Sequence, residues 1–149
     1  MNTIRVSLAQ STDIDALAQL FDDYRCFYNK ASDRASAKQF LQERFSRSES
    51  TVFIAHEGLE AVGFTQLYPS FSSVSMARVY ILNDLFVAAD HRRKGVATEL
   101  LRAATDFAKA QGAVRVSLNT DIRNLQAQQT YEALGWKRDQ EFYAYHFRH

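Results

Sequence analysis

Apolar and polar positions along this chain follow two periods, one typical of strands and one typical of helices. The segment "TIRVSL" alternates apolar and polar residues, which predicts a first strand. After it, apolar residues recur every three or four positions, which predicts a helix with Ser11 or Thr12 as its N-cap. The apolar stripe of this helix is expected to face the core and comprises Ile14, Leu17, Phe21, Tyr24 and Tyr28.

The middle of the chain predicts a second helix followed by three strands. In "SAKQFLQERF" a weaker stripe contains Phe40, Leu41, Arg44 and Phe45. The segments "TVFIAHE" and "AVGFTQLYP" flank a turn at Gly58, which predicts a hairpin. The long apolar run "RVYILNDLFV" then predicts a central strand, because a strand covered on both faces reads as nearly continuous apolar sequence.

The last third alternates helices and strands again. A helix is predicted from Gly95 to a C-cap near Gly112, with an inward face formed by Val96, Leu100, Ala104, Phe107 and Ala108. The strand "VRVSLN" follows, then a helix that holds Ala127, Tyr131 and Leu134, and then "WKRDQEFYAYHFR" as a closing hairpin. This order predicts an α/β fold in which helices flank a mixed sheet.

Composition predicts one domain over residues 1–149. The hydrophobic fraction of 46% suffices for a core, and one Pro and five Gly leave no flexible linker. Eighteen Lys plus Arg against 17 Asp plus Glu give a net charge of +1, which argues against nucleic acid or an anionic membrane as a partner. The single cysteine, Cys26, and an N-terminus without a signal-peptide pattern favour a cytoplasmic protein.

The most informative chemical signal is "DHRRKGVA", which joins the central strand to the next helix. A helix N-terminus presents unpaired N–H groups, and Gly95 allows an anion to approach the backbone. The cations Arg92, Arg93 and Lys94 would add charge around such a phosphate site, while Ala97 leaves room on the first turn. A solvated basic turn that starts a helix is the simpler interpretation, and the spacing alone favours neither.

This strand, loop and helix, "NDLFVAADHRRKGVATELL", resembles motif A of the GNAT superfamily of N-acyltransferases, Q/R-x-x-G-x-G/A. Downstream, "NLQAQQTYEALGW" resembles the family's next motif, matched here by Asn124, Ala127, Tyr131, Gly135 and Trp136. The resemblance implies a mixed central sheet of about six to seven strands with a splayed parallel pair and about four helices.

The resemblance also implies acetyl-CoA as co-substrate and direct transfer of its acetyl group to an amine. Its pyrophosphate would rest on the loop and first helical turn, which comprise Arg92, Arg93, Lys94, Gly95, Val96, Ala97 and Thr98. Asn124 of the downstream motif is also assigned to cofactor binding. Backbone N–H groups near Phe86 and Val87 would hold the acetyl carbonyl, as in an oxyanion hole. Tyr131 would be the general acid for the departing thiolate.

The general base and the acceptor are less determined by sequence. Relatives that resemble diamine acetyltransferases carry two adjacent acids where this chain has Asn83 and Asp84, so Asp84 is a base, a cation contact or a structural residue. The run "GFTQLYPSFSSVS" resembles the Hpa-type subgroup, which acetylates polyamines, histone-like lysines or D-amino acids. Asp22 and Asp23 suit a polycation, whereas Arg25 suits the carboxylate of an amino acid; a solvated helix face is the alternative for all three.

Three further expectations concern metals, partners and activity. The four histidines show no metal-ligand spacing, so we expect no metal. The β-forming segment "EFYAYHF", together with the resemblance, favours a homodimer. A non-catalytic acyl-CoA sensor of the same fold is the alternative to an enzyme, and a DNA binder using the basic turn is weaker because no basic stripe continues beyond it.

Overall fold

The computed structural model describes residues 3–149. Their backbone forms two compact units, one that ends at Asn119 and one that spans Thr120–His149. The strands found in the described residues all lie in the first unit: β1 Ile4–Leu8, β2 Thr51–Glu57, β3 Glu60–Ser72, β4 Ala77–Val87 and β5 Val116–Ser117. The first unit also holds α1 Ile14–Phe27, α2 Arg34–Ser46 and α3 Val96–Ala110, and the second unit holds α4 Leu125–Ala133. The mixed α/β fold is therefore confirmed.

The sheet has the order β1-β2-β3-β4-β5. The first four strands pair antiparallel, as the predicted hairpin requires, and β5 pairs parallel to β4. Five strands replace the six to seven expected, because the closing hairpin predicted at the C-terminus has no strand in the described residues. High β propensity alone does not make a strand, since its backbone groups need a paired neighbour. The large side chains of this segment are exposed: Phe142, Tyr143, Tyr145 and Phe147.

The parallel pair is confirmed, and it is short. Strands β4 and β5 pair only at Tyr80 with Val116 and at Ile81 with Ser117, while β4 continues to Val87. In the described residues, the β4 edge from Leu82 onward therefore has no strand beside it. An edge of this kind offers backbone N–H and C=O groups to a ligand.

Helices cover both faces of the sheet. On one face α1 and α2 pack Leu17, Phe21 and Leu41 against strand residues that include Phe64. On the other face Val96 and Leu100 of α3 pack against β2 and β3. Burial of each such side chain stabilises the fold by roughly 1.5–3 kcal/mol. The apolar stripes thus place α1 and α3 on opposite sides of the strand that carries the candidate site.

Two details of α1 differ from the prediction. The helix begins at Ile14, after a 3-10 turn over Ser11–Asp13 in which the Gln10 N–H donates to Asp13 Oδ2 at 2.8 Å, so neither Ser11 nor Thr12 is the cap of α1. The other correction is Tyr28, predicted to face inward but 57% exposed. The helix ends at Phe27, so Tyr28 leaves the stripe that its spacing would otherwise continue.

Candidate active site

A β-bulge lies where β4 leaves β5. Gln66 of β3 faces Asp84 and the next residue, Leu67, faces Leu82, so Asn83 is an extra residue in β4. Bulges disrupt pairing locally and redirect side chains, and they are frequent beside active sites. Here the bulge brings the Asn83 amide into contact with Asp84, at 3.1 Å from Nδ2 to Oδ1.

Asp84 is a buried carboxylate surrounded by neutral donors. Its exposed fraction is 5%. Gln66 Nε2 donates to Oδ2 at 2.8 Å, Asn83 Nδ2 donates to Oδ1, and the Tyr24 side chain also forms a hydrogen bond. Burial raises the pKa of Asp84, and these three hydrogen bonds only partly offset that effect. A carboxylate with a raised pKa in a poorly hydrated site is suited to accept a proton.

Aromatic rings form the wall of this site. The Tyr24 ring packs edge-on against Phe64 and Phe86, with centroids 5.7 and 6.0 Å apart. Burial, with a contribution from the Asp84 charge, raises the pKa of Tyr68 to about 12, so this phenol stays neutral. Because the rings exclude water, charges and dipoles interact more strongly here than at the surface.

The two predicted carbonyl donors on β4 face different ways. Ala88 N–H donates to Val62 O at 2.8 Å, and a Cβ built on Gly63 would lie 2.8 Å from Phe86 O. The backbone groups of Phe86 are therefore directed at β3. Because successive residues of a strand alternate, the Val87 N–H faces the open edge instead. The geometry supports Val87 as a donor to a ligand at this edge and does not support Phe86.

Arg92 braces the start of the loop against β4. Its Nε donates to Val87 O at 3.0 Å. The guanidinium lies over the rings of Phe27 and Phe86, at 5.4 and 5.7 Å from their centroids. Such cation–π contacts hold the planar group in place. Arg92, which was predicted to contact phosphate, therefore joins the loop to the open strand edge.

The loop ends in the conformation that an anion site requires. Arg93 and Gly95 have positive φ values, 64° and 82°, and α3 begins at Val96. A Cβ built on Gly95 would meet no atom within 4 Å, so the space beside it is open. The first N–H groups of a helix have no intrahelical acceptor and lie at the positive end of its dipole. In this first turn they belong to Val96, Ala97 and Thr98.

The remaining cations of the loop differ in their partners. Lys94 Nζ lies 3.4 Å from Glu57 Oε2, and His91 Nδ1 lies 2.7 Å from the same atom. These contacts, led by the hydrogen bond with His91, lower the pKa of Glu57. Arg93 is exposed and forms no ion pair with any described residue. Lys94 is therefore tied to β2, while Arg93 is available to a ligand.

The predicted acceptor contacts on α1 already have partners. Asp22 is buried, and its two oxygens accept hydrogen bonds from Ser32 Oγ at 2.6 Å and from Asp33 N–H at 2.7 Å. These bonds lower the pKa of Asp22. Arg25 Nη1 donates to Ala31 O at 3.4 Å. Both side chains hold the connection between α1 and α2, which gives them a structural role.

In the second unit, the downstream motif forms a capped helix. The Asn124 side chain is the N-cap of α4 and accepts from the Ala127 N–H at 3.1 Å. Gly135 has a φ of 95°, and Trp136 N–H donates to Tyr131 O at 3.0 Å, which completes a Schellman C-cap. The Tyr131 and Trp136 rings pack with centroids 6.1 Å apart. The Gly and Trp of the motif thus fix the turn of helix that carries the half-buried Tyr131.

Sequence reasoning missed the residues that hold Asp84 in place. Gln66 and Thr65 are fully buried polar residues in the apolar run "AVGFTQLYP". Two polar residues side by side in such a run were the available signal, because buried polar groups require specific partners. The contact between Glu57 and His91 joins residues 34 positions apart and gave no sequence signal.

Two searches concern other kinds of site. Across the described part of the chain, no helix is both long and apolar enough to span a membrane. The same residues contain no group of three or more His, Cys, Asp or Glu side chains arranged to hold a metal ion.

Comparisons with known proteins agree with this geometry. Residues 17–136 match the acetyltransferase (GNAT) family. The chain is 46% identical over 142 residues, 95% of each chain, to "Uncharacterized N-acetyltransferase YhfO" of Bacillus subtilis (strain 168). It is similar to the crystal structure of a probable acetyltransferase, with a TM-score of 0.92 and 43% identity over 97% of each chain.

A more distant structure shares the fold. The aminoglycoside N-acetyltransferase AAC(6')-Iy in complex with CoA has a TM-score of 0.82 and 19% identity, covering 99% of this chain and 97% of that one. Together with the family match and the close relatives, these findings identify the chain as a member of the acetyltransferase (GNAT) family and as an N-acetyltransferase.

Proposed function

We propose that this N-acetyltransferase moves the acetyl group of acetyl-CoA directly to the primary amine of a small molecule or to a protein lysine. The observation that carries the proposal is the position of the buried Asp84, at a bulge beside an unpaired strand edge. That strand leads directly into a loop and helix N-terminus with the shape of a phosphate site.

The residues of the loop fit the pyrophosphate of acetyl-CoA. Open space beside Gly95 lets an anion reach the first turn of α3, where its N–H groups and dipole favour negative charge. Arg93 adds an exposed cation, and the family motif also assigns Arg92 and Lys94 to the pyrophosphate. Asn124 is assigned to cofactor binding by its motif alone. AAC(6')-Iy, a protein of the same fold, has been solved in complex with CoA, which supports acetyl-CoA as the co-substrate.

The chemistry requires a proton acceptor for the amine and a donor for the thiol. Acetyl-CoA supplies a thioester whose carbonyl carbon is open to attack by a neutral amine. Asp84 takes a proton from the incoming ammonium, directly or through one water. The Val87 N–H at the open edge stabilises the negative charge that develops on the carbonyl oxygen. Tyr131 gives its proton to the departing sulfur, and the second proton that the nitrogen loses as the amide forms restores the phenol. This role of Tyr131 rests on the motif alone.

For the acceptor, the described contacts favour an amine with one ammonium at the catalytic centre. Asp84 provides the buried carboxylate, and the exposed Asn83 lies beside it at the bulge. Asp22 was predicted to bind a polycation and Arg25 the carboxylate of an amino acid, but their polar groups form hydrogen bonds with the connection between α1 and α2. Selection among Hpa-type acceptors then depends on the part of the substrate beyond the reacting amine, and not on Asp22 or Arg25.

The decisive experiment is thiol release from acetyl-CoA across a panel of amines. The panel contains spermine, spermidine, lysine analogues, D- and L-amino acids and a histone-tail peptide. Release that depends on one amine class supports the proposal, and Tyr131→Phe should then lower turnover about 10²- to 10⁴-fold with little change in acetyl-CoA affinity. Tight acetyl-CoA binding without transfer to any amine would instead indicate a non-catalytic acyl-CoA sensor.

Two properties of the protein in the cell complete the proposal. A single, exposed cysteine favours the cytoplasm, where thiols stay reduced. The exposed aromatic side chains between Phe142 and Phe147 favour a homodimer that covers them. Sedimentation that shows only monomer at working concentration would contradict the dimer.

A further inference from the structure

We propose that Gln66 is the positioning residue of the acceptor site, whose amide holds Asp84 in the orientation and protonation state that receive a proton from the ammonium. This inference rests on the function proposed above. In the step concerned, an N–H bond of the ammonium breaks, an O–H bond forms on Asp84, and the amine keeps the electron pair with which it attacks. Solvent takes the proton from Asp84 afterwards.

The first argument is the geometry of the contact. Gln66 lies directly opposite Asp84 in the pairing of β3 with β4. Its Nε2 donates to Asp84 Oδ2 at 2.8 Å, and an ionised carboxylate can only accept. The amide orientation is therefore fixed, with nitrogen toward Asp84 and oxygen away from it.

The second argument is the remaining oxygen of the same amide. Gln66 is 0% exposed, and its Oε1 has no hydrogen-bond partner among the described residues. A buried acceptor without a donor destabilises a protein, so stability does not explain a glutamine at this position. Functional sites are where such costs persist. The use that remains for the side chain is to donate to Asp84.

The third argument is a comparison of Gln66 with the other groups that face Asp84. From β4, Asn83 donates an amide, but Asn83 is exposed at the bulge and can exchange its partner for water. Tyr24 of α1 and Tyr68 of β3 place phenols beside Asp84. The charge of Arg44 on α2 lowers the pKa of Tyr68, against the larger effect of burial. Gln66 is the donor to Asp84 that is completely enclosed, so its hydrogen bond has no water competitor.

The direction of its effect follows from hydrogen bonding. A donor to the ionised form of a carboxylate lowers its pKa, and Gln66 is the largest effect that opposes burial at Asp84. Removal of the amide should raise the pKa of Asp84, so the base would stay protonated and inactive up to a higher pH. Activity that depends on ionised Asp84 would then begin at a higher pH as well.

The experiment measures the titration of Asp84 itself. Carbon-13 NMR of aspartate carboxyl groups gives the titration midpoint, and Asp84→Asn identifies the resonance by its loss. In Gln66→Met we expect the midpoint about one to two pH units higher than in the wild type. Gln66→Leu is the second apolar replacement should Gln66→Met fail to fold, and it should raise the midpoint similarly because it also removes the amide donor.

Thr65→Val is the matched control. Thr65 is the buried neighbour of Gln66, and its Oγ1 donates to the backbone oxygen of Asp84 at 2.7 Å, not to the carboxylate. This variant loses a buried hydrogen bond to the same residue, so its stability falls while the Asp84 midpoint stays within a few tenths of a unit. An Asp84 midpoint unchanged in both Gln66 variants, or moved equally in Thr65→Val, overturns the inference.

The pH profile of kcat/KM separates this inference from the proposed function. With one amine substrate throughout, the acid limb should move upward in Gln66→Met together with the NMR midpoint. If Asp84→Asn keeps the wild-type acid limb, Asp84 is not the base and that part of the proposed function fails. If Asp84→Asn removes the limb but Gln66→Met leaves it in place, only the role of Gln66 is overturned.

Discussion

The two charged regions at the end of β4 are built in different ways. The Asp84 site is buried, and its carboxylate accepts hydrogen bonds from the neutral side chains of Gln66, Asn83 and Tyr24. The loop from Arg92 to Gly95 is exposed; Arg92 contacts a backbone oxygen and aromatic rings, and Lys94 contacts a carboxylate. The buried region depends on individual side chains, whereas the loop depends on backbone conformation. Mutations and salt should therefore affect the two regions differently.

The largest effect is expected at the buried carboxylate. Asp84→Asn keeps the shape but removes the proton acceptor, so kcat should fall about 10²- to 10⁴-fold while the Kd for acetyl-CoA stays nearly constant. Steady-state kinetics and a binding titration measure the two quantities. The matched control is Asp15→Asn, an exposed carboxylate on α1 that pairs with Lys38. An equal loss in both variants would mean that burial does not distinguish Asp84.

The second prediction concerns the backbone of the loop. Gly95→Ala adds a methyl group to the open space beside the first turn of α3, and should weaken acetyl-CoA binding about tenfold to hundredfold. Gly112→Ala is the control, because Gly112 follows the other end of α3 with a similar φ, 78° against 82°, and equally open space. Both variants lose about 1–2 kcal/mol of stability from strain.

Only the variant at the N-terminus of α3 should lose affinity for acetyl-CoA, which isothermal titration measures. If Gly112→Ala loses as much, the effect arises from strain in α3. If neither does, the loop does not hold the pyrophosphate.

How much the sequence predicted also differs between the regions. The loop and α3 followed from a local signal, since Gly95 and the apolar stripe of α3 lie within one continuous segment. The Asp84 site joins β3, β4 and α1, and its bulge arises from strand register, which no local pattern specifies. For the same reason the sequence indicated Asp84 but not Gln66. The predicted C-terminal hairpin was wrong for a different reason: its local β pattern is strong, but the segment has no partner strand in the described residues.

The third prediction is the pH dependence of stability. The folded state raises the pKa of Asp84 above its unfolded value, so this group favours the native state at low pH. That contribution is lost as the pH rises through the folded pKa, at about 1.4 kcal/mol for each unit of difference. Because Asp22 and Glu57, whose pKa values are lowered, act oppositely, total stability does not isolate the effect.

Urea unfolding of the wild type and Asp84→Asn at pH 4 and pH 7 isolates it by subtraction. The free energy of unfolding of Asp84→Asn, minus that of the wild type, should increase as the pH rises. A difference that is constant with pH would show that folding leaves the pKa of Asp84 unchanged.

The smallest effects are expected from the side-chain cations of the loop. Arg93 has no ion pair with a described residue, so Arg93→Gln should raise the KM for acetyl-CoA about two- to fivefold at low salt. Lys94 is held 3.4 Å from Glu57, away from free contact with a ligand, so Lys94→Gln should have a smaller effect. Kinetics at 20 mM and about 500 mM salt sharpen the contrast, because salt screens exposed charges. The effect of Arg93→Gln should nearly vanish at high salt, while that of Asp84→Asn should persist. If the effect of Asp84→Asn also vanished at high salt, Asp84 would lie in a solvated environment, which its burial contradicts.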